Sequence, residues 1–270
     1  MDLFEAIRRR HTTNGAFADR AIDPEHKRAI FELAARAPSH FNSQPWRFVV
    51  VEDPERRRAL GRVAGESMRD LMDDGRFFLQ YRKFFRLTPE EAAATKDGIH
   101  IDNIPSVLRP FAKYAFTERG VSVMKTLRVP NVLGNDARRL VETSPMLLGI
   151  ALSREIYKPE ELTGLYTMIS LGAVIQTIWL AATSFGMGFQ FVSTPQEIPE
   201  KWALVSALLG VPDDFELMVL CRLGYEDAAI RRPTIDWTSP QRKGIDELAF
   251  QDTWGQPLIP GEAKTAGSGD

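Results

Sequence analysis

Few residues in this 270-residue chain could carry chemistry, and they sit in four separated stretches. His11, His26, His40 and His100 show no metal-ligand spacing, and no Gly-x-Ser-x-Gly elbow is present to expose a nucleophilic serine. The lone cysteine, Cys221, lies in the apolar run Leu217 to Leu223 and reads as core rather than nucleophile. What remains is polar and basic: Arg8 to Asn14, the loop within Ala37 to Val51 (APSHFNSQPWRFVVV), Ser193-Thr194-Pro195, and Arg231-Arg232-Pro233. A loop that leaves a helix for a buried strand, as Ala37 to Val51 does, is where a backbone can serve a ligand. Each stretch also has a purely structural reading. Arg8 to Arg10 suit a helix C-terminus, Pro38 to Trp46 suits a turn with a core tryptophan, and Arg231-Arg232 suits an exposed loop.

The elements that must position these stretches follow from periodicity and punctuation. Leu3, Phe4 and Ile7 share one face of a first helix that ends in the arginines. Asp23-Pro24 is an N-cap followed by the first helical position, and it opens a helix through Ile30, Leu33 and Ala34 that stops at Pro38. A β-branched strand, Phe48 to Val51, comes after the loop. Asp53-Pro54 repeats the device, opening a helix with Leu60, Val63, Ala64, Met68 and Leu71 on one face and charge elsewhere. From about residue 75 to 132 the pattern loosens into an aromatic-rich, basic stretch carrying Phe77, Phe78, Tyr81, Phe84, Phe85, Phe111, Tyr114 and Phe116. Helices and loops laid over the main body are expected there, covering either a ligand or a partner subunit.

A helix resumes over Asn135 to Glu142, and Pro145 to Ser153 is a strand apolar enough to be buried on both faces. Leu165 to Phe185 approaches the length of a membrane span, but Gln176 and the Ser and Thr hydroxyls favour a buried helix. Gly186-Met187-Gly188 leads into a short strand, Phe189 to Val192; this partial Gly-x-Gly opens no helix, so a Rossmann site is rejected. Pro199 to Leu209 forms a helix closed by Gly210, and Glu216 to Leu223 is the next strand. Beyond Gly224 the chain turns irregular, and the tail from Gly261 to Asp270 is expected to be disordered.

With 44% hydrophobic and 26% charged residues the composition is globular, and a net charge of −2 argues against nucleic-acid binding. One cysteine excludes an internal disulfide and suits a reducing compartment. The amino terminus lacks the apolar core of a secretion signal, so a cytoplasmic, membrane-free protein is expected.

Taken in order, the stretches resemble the flavin-dependent nitroreductase family. Pro38, Ser39, Asn42, Gln44, Pro45 and Trp46 match its Pro-Ser, Asn-x-Gln-Pro-Trp segment residue by residue. Arg10, His11, Thr12, Thr13 and Asn14 fall on its early pattern of a basic residue, a polar or basic residue, Ser or Thr, any residue, then Arg or Lys. Asn14 departs by losing a charge, and Gly15-Ala16 looks one residue long before Phe17. Val192 to Pro195 follows the Thr-Thr-Thr-Pro run of the family's dehalogenase branch, and Arg231-Arg232-Pro233 its late basic-basic-Pro motif.

The resemblance implies an α+β fold: a central mixed, mainly antiparallel sheet surrounded by helices, forming one domain over residues 1–260 with a helical lid at about 75–132. It implies FMN held by Arg10, His11, Thr12, Asn14, Pro38, Ser39, Val192, Ser193, Thr194 and Arg231, with Phe41 and Tyr81 toward the substrate and no metal. Hydride would pass from NAD(P)H to flavin N5 and on to a small aromatic acceptor, a nitroaromatic or a quinone, in a ping-pong sequence, which accounts for the missing nucleophile. Ser193 and Thr194 could tune N5, and a hydroxyl there favours the one-electron steps of a reductive dehalogenase acting on a halogenated phenol. A flavin-binding protein without turnover is the remaining alternative. The family also implies a homodimer with the long apolar helix at the interface, Trp46 and the Arg10 to Asn14 loop near it, and the segment through Trp237 and Trp254 embracing the partner.

Overall fold

In the computed structural model residues 1–75, 80–103, 117–230, 233 and 236–258 are described. In chain order they form α1 (Leu3–Arg9), α2 (Pro24–Ala34), β1 (Trp46–Val51), α3 (Pro54–Asp74), β2 (Phe85–Arg86), α4 (Pro89–Thr95) and β3 (Ile99–Asn103). Then come α5 (Glu118–Thr126), α6 (Val129–Glu142), β4 (Met146–Ser153), α7 (Leu162–Ser184), β5 (Met187–Phe191), α8 (Pro199–Leu209), β6 (Phe215–Tyr225), β7 (Asp236–Thr238) and α9 (Ile245–Leu248). The Asp-Pro pairs act as read. Asp23 accepts from the Glu25 amide at 2.7 Å and Asp53 from the Arg56 amide at 2.8 Å, so α2 and α3 begin at their prolines.

The main sheet runs in the order β1-β4-β6-β5 and is antiparallel throughout. Strand β4 is buried along nearly its whole length, as an apolar central strand covered on both faces must be. Leu148, Ile150, Leu152, Cys221 and Leu223 pack with Ile30 of α2 and Ile178 of α7. Leu147, Leu217 and Leu220 pack the opposite way, with Leu60 and Val63 of α3 and Val205 and Leu209 of α8. Helices thus cover both faces, and the α+β class expected from sequence is what the chain forms. Helix α7 could cross a bilayer by length and composition. Instead Val174, Ile178 and Ala182 are buried on the sheet, and hydroxyls such as Thr167 and Ser170 donate to the carbonyl four residues back, at 2.7 Å.

Boundaries shift by a few residues, chiefly α6, which starts at Val129 because Pro130 fits its first turn. A larger difference lies in the segment expected to hold only helices and loops. Strands β2 and β3 pair in parallel, and β3 pairs antiparallel with β7, contributed from far later in the chain. Such short strands carry no periodicity of their own; pairing across the fold makes them. Phe77, Phe78, Phe111, Tyr114, Phe116 and the tail from residue 261 lie outside the described residues.

Helices α3 and α6 approach closely at their glycines: a Cβ added to Gly65 would stand 2.7 Å from the Gly134 carbonyl oxygen. Gly65→Ala must push backbone against backbone, so stability to urea is expected to fall by about 1–3 kcal/mol. An unchanged unfolding midpoint would show that the two helices can separate freely.

Candidate functional site

The loop after α2 is built from strained backbone. Phe41, Asn42 and Gln44 have φ of 47°, 54° and 43°, a left-handed region that costs a non-glycine residue roughly 1 kcal/mol each. The Ser39 hydroxyl accepts from the Gln44 amide at 3.0 Å, the Gln44 side chain donates to Asn42 Oδ1 at 3.1 Å, and the His40 amide donates to Ser170 Oγ of α7 at 3.2 Å. Trp46 anchors the far end in the core. The result presents Phe41 to solvent, 98% exposed. Strain that local bonds hold in place around an exposed aromatic marks a surface prepared for contact.

The stretch Arg10 to Gly15 lies along the outer edge of β5, with Thr12 bridged to Phe189 and the Thr13 amide donating to the Phe189 carbonyl at 3.1 Å. Here the Arg10 guanidinium lies over the Trp179 ring at 4.6 Å, and among the described residues it has no carboxylate partner. Burial, and then the positive charge of Arg242, lower its pKa. His11 and Thr13 instead engage Glu226, at 3.0 Å and 2.5 Å. The Glu226 hydrogen bond raises His11 to about 9, and His11 in turn lowers Glu226. Asn14 donates to the Trp237 carbonyl at 2.9 Å and accepts from Gln190 at 3.1 Å. Beneath the loop lies Arg222, buried, donating to the Thr13 and Gly15 carbonyls at 2.7 and 2.8 Å and to Gln190 Oε1 at 2.6 Å. Among the described residues its Nη1 has no hydrogen-bond partner.

Strand β5 runs on into the third stretch. The Val192 amide donates to the Leu220 carbonyl at 2.8 Å, and Ser193 precedes a short 3₁₀ turn, Thr194–Glu197. Neither the Ser193 nor the Thr194 hydroxyl caps this turn or α8, so both are uncommitted among the described residues. Tyr81 donates to Glu197 at 2.5 Å, tying the segment after α3 to this turn, and Glu197 raises the phenol's pKa.

The Arg10 stretch and the Val192 turn therefore meet at β5. The Ser39 loop stands apart: α7 carries it at Ser170 and Arg10 at Trp179, about 13 Å further along the helix. Arg231 lies outside the described residues. Cys221 is core as read, and burial pushes its thiol well up, away from a thiolate. Sequence reading passed over Glu226, Gln190, Arg242 and Arg222. The last had a signal: a cation next to Cys221 inside an apolar strand. Among the described residues no cluster could hold a metal ion. The arrangement sets one guanidinium, Arg10, on a backbone-rich loop and a second, Arg222, buried beneath it, a charge pattern that suits an anion.

The sequence profile of the Nitroreductase family matches residues 7–225. The chain is 29% identical over 226 residues to the 5,6-dimethylbenzimidazole synthase of Rhodospirillum rubrum, covering 78% of this chain and 82% of that one. Identity to a putative NAD(P)H nitroreductase of Streptococcus pyogenes is 28% over 113 residues, 39% of this chain and 56% of the relative. This chain thus spans only about half the length of that relative. In fold it is similar to the FMN and NADPH-dependent nitroreductase NfnB from Sphigopyxis sp. strain HMH (TM-score 0.57, 24% identity, 94% of this chain and 100% of that one). Iodotyrosine deiodinase bound to FMN and 3-iodo-L-tyrosine is also similar in fold (TM-score 0.53, 19% identity, 84% and 91% covered). The match extends from within the first helix to the end of β6 and spans three of the four motif stretches, and the chain belongs to the nitroreductase family.

Proposed function

We propose that this protein is an FMN-dependent oxidoreductase that takes hydride from NAD(P)H and reduces small aromatic acceptors of nitroaromatic or quinone type. The observation that carries the reading is Arg10, a partly buried cation with no carboxylate partner among the described residues, on a loop paired to β5, the strand that leads into Ser193 and Thr194. The residues present fit the cofactor. A phosphate would be met by Arg10 and Arg231, the ribityl chain by Thr12, and the ring edge by Val192, Ser193 and Thr194. Pro38 and Ser39 would contribute from the strained loop. His11 and Asn14, engaged by Glu226 and Trp237, would act by holding that phosphate loop in shape. Bound FMN supplies the hydride-accepting and hydride-donating centre. Phe41 and Tyr81 would face the acceptor, the exposed ring offering a flat apolar surface and the phenol closing against Glu197.

The same reading places two chains in each functional unit. Leu162, Leu165, Tyr166 and Ile169 of α7 and Leu3, Phe4 and Ile7 of α1 form an apolar face that this chain leaves uncovered. Trp254, 91% exposed, and Leu248 are further exposed apolar side chains, on the carboxy-terminal segment. Phe41 neighbours the α7 face through His40, whose ring lies 6.1 Å from Tyr166, so a partner seated there would meet the strained loop. A cytoplasmic setting suits the single unpaired thiol.

Uncommitted hydroxyls at Ser193 and Thr194 favour reductive dehalogenation as the second reading, because a donor at the ring edge makes one-electron steps accessible. Halide release from a halophenol, measured beside nitro-group reduction by the purified protein, separates the two.

The purified protein is expected to show a flavin spectrum that NADH or NADPH bleaches anaerobically; a colourless protein that binds no added FMN would overturn the reading. Arg10→Ala is expected to weaken FMN by about 2 kcal/mol or more, the cost of cutting a desolvated charge pair, in a fluorescence titration. The folded protein holds His11 at about 9 against an ordinary 6.5, so the stability it contributes is complete below pH 6.5 and disappears as pH rises through 9. Thermal melts of His11→Gln should therefore lose part of the decline seen in the parent between those values. Sedimentation should give a dimer that Leu165→Glu dissociates, and a flavin-loaded wild-type monomer would rule the shared site out.

A further inference from the structure

Arg222 is a cation in the middle of an apolar strand, 1% exposed, and among the described residues no carboxylate accepts from it. A neutral side chain could stitch a loop to a strand, and burying a guanidinium without an acid is costly. Burial accordingly lowers its pKa, yet three good acceptors and the Phe17 ring, 4.6 Å away, keep it in place. All three acceptors are neutral, so the charge is solvated but not cancelled. It also points one way. Arg222 Nε donates to Gln190 Oε1, the Gln190 amide donates to Asn14 Oδ1, and the Asn14 amide donates to the Trp237 carbonyl. A cation at the head of such a chain polarises each amide after it. Its Nη2 meanwhile grips the Thr13 and Gly15 carbonyls, on both sides of residue 14. Glu226, the acid just past the end of the same strand, is paired with His11 rather than with Arg222.

We infer that Arg222 is the positioning residue of the Arg10 to Gly15 loop and supplies from beneath the positive charge that position 14 lacks, toward the phosphate monoester of a bound flavin. The inference rests on the FMN reading above. It predicts discrimination between flavins as well as affinity, because riboflavin lacks the phosphate that the buried charge attracts.

Apoprotein titrated with FMN and with riboflavin, each variant first checked by thermal melting, gives the ratio of the two affinities. Arg222→Met is expected to lower the FMN preference by about tenfold, the scale of one partly screened charge. Adding Asn14→Lys to Arg222→Met should restore the preference, since it returns a cation to the loop itself. Should Arg222→Met fail to fold, Arg222→Lys carries the test: it keeps the charge and loses the fork, so both flavins should weaken while the preference survives. Equal loss of both flavins in Arg222→Met, no restoration by Asn14→Lys, or a lost preference in Arg222→Lys would each reduce Arg222 to scaffold. Wild-type protein that binds neither flavin would overturn the FMN reading itself, whereas wild-type preference for FMN with an unchanged ratio in Arg222→Met would overturn this inference alone.

Discussion

Strand β5 ends the main sheet, and its outer backbone groups need partners. The segment after α1 provides them, with Thr12 bridged to Phe189 and the Thr13 amide on the Phe189 carbonyl. That pairing decides where the basic stretch goes. It lays Arg10 over Trp179 and sets Thr13 within reach of Glu226. Gly188 and Gly224 make the close approach possible, since a Cβ on Gly224 would stand 2.6 Å from the Phe17 side chain. Covering the edge and placing Arg10 and Thr13 are here one event, so neither is altered without the other.

Helix α7 is the second organising element, and it joins surfaces with opposite needs. Its inner side fills the core with Val174 and Ile178, while its hydroxyls return to the helix's own carbonyls and leave no polar group stranded. Its outer side remains apolar and uncovered near Leu165 and Ile169. The same helix holds the strained loop through Ser170 and receives Arg10 at Trp179. A change in how α7 is covered would therefore be felt at both loops.

The small sheet adds a tie of another kind. Strand β7 receives the Asn14 amide and pairs with β3, which pairs in turn with β2; Tyr81, just before β2, bonds Glu197 in the turn after β5. The segment from residue 80 to 103 is thereby connected to the loop at one end and the turn at the other.

The elements of the main body were legible in the sequence because their signals are local. Asp-Pro caps, helical spacing in α3, the unbroken apolar run of β4 and the closing Gly210 each act within a few residues, and each element appears within a few residues of its expected place. Spelling also located the loops around Arg10, Ser39 and Ser193. Partnerships were not legible. His11 with Glu226, Asn14 with Trp237 and Tyr81 with Glu197 join positions more than a hundred residues apart, and nothing in the local pattern of either partner encodes the other. The pairing of β2 and β3 with β7 belongs to the same class, since strands this short exist only because something lies beside them. Residue types and spacing thus determined which segments form and what chemistry they could support. Tertiary structure alone decided which charges meet a counter-charge among the described residues and which do not, because neutralisation depends on distances that only the packed chain sets.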